Sequence, residues 1–90
     1  MVEVLAGVML TEVEVPFSMV GRSLAEIDLR RRYGVEVVLI HTPHADGDGL
    51  EGRPGKLPTP QVSLDPGDRL LVMGARESVE ALQRGLARTS

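Results

Sequence analysis

GRSLAEIDLRRRYGVEVVLIHT, residues 21–42, reads as one helix running into one strand. Ser23 and Glu26 have the S-x-x-E spacing of a capping box, in which each side chain satisfies the other residue's amide, so a helix starts at Ser23. Leu24 and Ile27, three apart, give that helix its buried edge. Asp28 and Arg30 to Arg32 face water, and the arginines suit the negative end of the helix dipole. Gly34 is the expected stop, because the residue after a helix often needs positive φ. Val35 to Ile40 is dense in β-branched residues, with Glu36 its only charge, and reads as a mostly buried strand.

Upstream, Val2 to Phe17 is β-prone. Thr11, Val13 and Val15 alternate with Glu12 and Glu14, the pattern of a strand with one wet face. Val4 to Leu10 is apolar on both faces, which points to a buried strand covered on both sides or to an oligomer contact. Gly7 marks a bulge or a break there. Downstream, His41 to Pro60 is rich in Gly, Pro and Asp, a long loop of the kind that is often functional. A short strand ending at Gln61–Leu64 begins near Leu57. Asp65-Pro66-Gly67-Asp68 is a turn. Arg69 to Met73 is a strand ended by Gly74. Glu77 to Ala87 is a helix whose buried stripe is Val79, Leu82 and Leu86, weakened by Gly85 by up to about 1 kcal/mol relative to Ala. The order β-α-β-β-β-α makes an α+β fold, a small, mostly antiparallel sheet with two helices packed on it.

The 90 residues form a single domain, residues 1–90, with a small core. The net charge of −3 shows no basic excess, and one Tyr and one Phe give no stacking platform, so nucleic acid is not an expected partner. No apolar run reaches the roughly 18 residues of a membrane span, and the first residues lack the basic cluster of a signal peptide. The absence of cysteine removes disulfides and thiolate chemistry, and fits a cytoplasmic chain. A core so poor in aromatic rings buries modest area, which points to further burial in a dimer or against another protein.

Three places could carry chemistry. His41, His44, Asp46, Asp48 and Glu51 supply metal-type ligands, but without EF-hand spacing, and a polar loop explains them equally well. Arg30, Arg31 and Arg32 are suited to phosphate oxygens; a solvated helix end is the plainer reading. Ser18, Ser23, Ser63, Ser78 and Ser90 are available as nucleophiles, yet none stands in a nucleophile elbow, and no Gly-rich phosphate loop is present. An enzyme is not expected.

Taken in order, a strand ending in VEVP, then GRSLAEIDLRRRYGVEVVLI, a variable loop, and LDPGDRLLVMG before a short helix resemble the C-terminal domain of potassium-conductance regulators, the RCK_C or TrkA-C domain. The resemblance spans Val8 to Leu86. It implies a cytoplasmic regulatory domain that dimerises and is attached to, or associated with, a potassium channel, an uptake protein or a cation/proton antiporter. Some members of the family bind cyclic di-AMP between two protomers. The resemblance places the ligand-binding positions at Arg30, at Glu36 where those members carry an amide, at the apolar partners Leu24 and Val37, and near His44. A carboxylate at 36 repels a phosphodiester unless it contacts the base instead. Full regulators carry a Rossmann domain with a Gly-rich loop ahead of this one. These 90 residues hold no such loop, so neither NAD nor ATP is expected to bind here, and no cofactor or metal is expected beyond cyclic di-AMP as a candidate ligand. The alternative is a purely structural dimerisation module with no small-molecule ligand.

Overall fold

The structure, a computed structural model, describes residues 1–42 and 55–89. It opens with a hairpin, β1 (Val2–Leu5) and β2 (Val8–Glu14), turned at Gly7 with φ 78°. A short 3-10 turn (Phe17–Met19) leads to α1 (Leu24–Ile27) and α2 (Leu29–Tyr33). Then come β3 (Glu36–His41), β4 (Gly55–Lys56), β5 (Arg69–Ala75) and α3 (Arg76–Thr89). The five strands lie in the order β1-β2-β5-β3-β4, and every pair is antiparallel. The expected α+β class is the one found, with an additional strand at the front.

One face of the sheet carries the core. Val13, Leu70 and Ile40 form one cross-strand row, and Thr11, Val72 and Val37 the next. Against them pack Ile27 and Leu29 from the first helical unit and Val79, Leu82 and Leu86 from α3, the stripe read from the sequence. Gly74 does not end β5 but lies within it. A Cβ there would stand 3.1 Å from Val35 Cγ1 and 3.3 Å from the Gly34 carbonyl, so glycine lets β5 pass close to the start of β3 without displacing either neighbour.

Three local expectations change. First, β1 is not covered on both sides: Val2 is 61% exposed and Leu5 69%. Among the described residues it is an edge strand that pairs only with β2, and no residue of the core precedes Met9. Second, the helix after Ser23 is broken at Asp28, which takes left-handed φ 53° and ψ 55°. On a continuous helix Ile27 and Leu29 would stand roughly 200° apart. The reset at Asp28 lets both reach the core, at 1% and 3% exposure. Third, residues 57–64 do not join the sheet. Pro58 and Pro60 have no amide to donate to a ladder. The segment pairs with residues 21–25 instead, where the Ala25 and Leu24 amides donate to the Pro60 and Val62 carbonyls at 3.0 and 3.2 Å.

The two sides of residues 43–54 meet at one buried carboxylate. Asp68 Oδ1 accepts from Thr42 Oγ1 at 3.0 Å, and Oδ2 accepts from the Asp65 amide and faces Lys56 Nζ, both at 2.9 Å. Lys56 also donates to the Ser63 carbonyl and the Asp65 carboxylate. Burial pushes the Asp68 carboxyl up, but the Asp65 amide, Lys56 and Thr42 outweigh it and hold it below the ordinary carboxylate range. Desolvation likewise lowers Lys56, and its bonds to Asp68 and Asp65 raise it beyond the ordinary value.

Candidate functional site

The capping box forms as the spacing predicts. The Ser23 amide donates to Glu26 Oε1 at 2.9 Å, and the Glu26 amide donates to Ser23 Oγ at 3.2 Å. Gly34 ends α2 with φ 77°. These two local signals fix where α1 and α2 cross the start of β3, and between them lies an open groove of about 230 Å³. Leu24, Ala25, Val35 and Val37 give it apolar surface, and Pro58 and Pro60 line it from the segment paired to α1. Arg30, Glu36 and Asp28 supply its charges.

Leu24, Arg30, Glu36 and Val37, the ligand-binding positions that the resemblance implies, share one concavity. His44 lies outside the described residues, as do Asp46, Asp48 and Glu51. His41 is on β3, 3.1 Å from Glu12 on β2, and is not among the groove residues. Sequence reasoning missed Pro58 and Pro60. A Pro-x-Pro just before a strand signal was the available clue, but which element it packs against depends on non-local pairing.

Each arginine of the run has a partner within the chain. Arg30 Nε donates to Glu36 Oε2 at 2.6 Å, which strengthens the guanidinium's hold on its proton. Arg31 Nε donates to Asp28 Oδ2 at 2.8 Å, and that bond holds the Asp28 carboxyl below the ordinary range. Arg32 reaches the Ile27 carbonyl and lies 5.5 Å from the centre of the Tyr33 ring. Of the three, Arg30 alone lines the groove. A guanidinium has five N–H donors, so the Glu36 contact leaves its outer nitrogens available to an anion.

This small antiparallel sheet with helices packed on it is the fold of an RCK domain of known structure, that of GsuK, which covers 91% of this chain at 24% identity and a TM-score of 0.71. The TrkA-C domain family matches residues 10–87, and the chain belongs to that family. β1 lies ahead of the matched residues. No curated protein matches the chain. Among solved structures, the GsuK channel bound to NAD shares 26% identity over 92% of this chain, with a TM-score of 0.72. This chain spans only 14% of that channel chain. The RCK_C domain dimer of Streptococcus agalactiae BusR in complex with c-di-AMP matches 87% of this chain and 89% of its own, at 18% identity and a TM-score of 0.62. At that identity the likeness is one of fold.

The exclusion of nucleic acid from the partners is corrected. S. agalactiae BusR in complex with its busAB-promotor DNA has this fold over 93% of the present chain, at 17% identity and a TM-score of 0.63. The match covers 38% of the BusR chain. The charge and aromatic content of one such domain therefore do not decide whether a protein containing it binds DNA. Among the described residues, no helix is long and apolar enough to cross a membrane.

Proposed function

We propose that this chain is a cytoplasmic regulatory domain of a potassium or other cation transport system, which dimerises and binds an anionic nucleotide in the groove between α1–α2 and β3. It carries out no reaction of its own. The observation that supports this most directly is the convergence of Leu24, Val37 and Arg30 on one concavity, an apolar surface for a base beside a guanidinium for a phosphate. The GsuK match, bound to NAD, and the BusR dimer, holding c-di-AMP, are consistent with ligand control in this family. Regulation would act by linkage: a ligand shared by two protomers favours one arrangement of the pair, and an attached transporter responds only to the difference in affinity between arrangements.

A second reading, a structural dimerisation module without a ligand, is favoured by one contact. Glu36 already occupies Arg30 Nε. A thermal-shift screen against cyclic dinucleotides, with mass measured in solution, separates the two. The ligand reading expects stabilisation that grows with ligand concentration and is lost in Arg30→Ala. A stable dimer that no nucleotide shifts would overturn it.

A further inference from the structure

The groove holds a carboxylate where a nucleotide-binding surface would be expected to avoid one. Glu36 cannot serve a phosphate, since like charges repel. Its contact with Arg30 uses one lone pair of Oε2. An ionised carboxylate has about four lone-pair sites on two oxygens and no proton to donate. Glu36 therefore presents a row of free acceptors beside the apolar patch of Leu24 and Val37. A purine lying on that patch would turn one edge toward Glu36.

We propose that Glu36 reads the base of the ligand and selects guanine over adenine, so that the groove prefers the guanine form of a cyclic dinucleotide. This rests on the nucleotide reading given above. Guanine's Watson–Crick edge carries two adjacent donors, N1–H and the N2 amino group, which match two carboxylate oxygens. Adenine offers one donor, its N6 amino group, next to the N1 lone pair. That lone pair would face a carboxylate oxygen with no hydrogen between them. Bases are told apart by donor and acceptor patterns of this kind. Repulsion between Glu36 and the phosphates weakens both ligands alike and leaves the choice of base untouched. Arg30 keeps its outer nitrogens for the phosphate, and its Nε–H orients the carboxylate. Arg30 is mostly and Glu36 half in water, with side-chain exposures of 77% and 49%, so discrimination is moderate rather than absolute.

The test is calorimetric titration of cyclic di-GMP and cyclic di-AMP into the wild-type chain, Glu36→Gln and Arg30→Ala, with the melting temperature of each unliganded protein. The wild type is expected to bind cyclic di-GMP about tenfold more tightly. Gln offers one donor and one acceptor, the complement of an adenine edge, so Glu36→Gln should erase or reverse the ratio without changing the unliganded melting temperature. Arg30→Ala should weaken both ligands together. Equal affinities in the wild type, a preference for cyclic di-AMP, or a ratio unmoved by Glu36→Gln would overturn base selection while leaving the nucleotide site standing. If neither ligand binds the wild type, the nucleotide reading falls and takes this inference with it.

Discussion

The phenol of Tyr33, at the end of α2, rests directly on the backbone of α3 at Gly85. A Cβ at Gly85 would overlap Tyr33 Oη and stand 2.9 Å from Cζ. Gly85 is thus the slot that seats the ring, and the helical cost read from the sequence is offset by that contact. Helix propensity alone expects Gly85→Ala to stabilise by about 1 kcal/mol. The packing expects the opposite sign, a loss of about 1–3 kcal/mol. Urea unfolding decides between them, and in a Tyr33→Phe background, which removes the closest atom, the loss should shrink.

Lys56 and Asp68 make acid stability a second test. The folded pKa of Asp68 is depressed, so its contribution is present above the ordinary carboxylate value of about 4 and fades as pH falls through the lower folded value. Lys56 is raised, so its contribution is present below about 10.4 and fades as pH rises through the higher folded value. The pair should therefore stabilise the fold across the whole interval between. Asp68→Ala leaves the Thr42 hydroxyl and the Asp65 amide without their acceptor and Lys56 with Asp65 as its remaining carboxylate, and should cost about 3 kcal/mol at pH 7. Lys56→Met should flatten the acid limb of a plot of urea midpoint against pH. An unchanged acid limb in Lys56→Met would show that the pair does not shape it.

Asp28 tests the break between α1 and α2. Its left-handed backbone is disfavoured for branched side chains and free of penalty for glycine. Asp28→Val should lower the melting temperature. Asp28→Gly should not, although it too loses the bond to Arg31. Equal losses in both variants would assign the role to the ion pair instead.

The front strand β1 should prove dispensable for the core. All buried apolar residues lie at or after Met9. Deleting residues 1–6 is expected to cost about 1 kcal/mol or less, and in the intact chain the β1 amides should exchange with solvent well before those of β5.

Local signals carried much of this fold. The Ser23–Glu26 spacing, Gly34 and the Val79–Leu82–Leu86 stripe each depend on neighbours within a few residues, and each forms as read. What escaped the sequence was set by contacts across the chain. VEVLAGVMLTEVEV reads as one β-prone run because nothing local says that its first four residues lack a covering layer. Asp28 looks like a solvated helix residue until Ile27 and Leu29 must both reach the core. Of the residues lining the groove, Leu24, Arg30, Glu36 and Val37 were named only through the family resemblance. The Arg30–Glu36 bond spans the α2–β3 turn, and Pro58 and Pro60 arrive from beyond β4. Neither is visible without knowing how those elements meet.

The grip of Asp68 on Thr42 and Lys56 makes the fold indifferent to what is strung between them. Thr42 and Lys56 are fastened to the same carboxylate, which holds these two flanks together whatever chain joins them. Lengthening such a segment costs only about 0.6 kcal/mol per doubling. A peptide tag or a reporter spliced between Thr42 and Lys56 should therefore leave the Asp68 contacts in place.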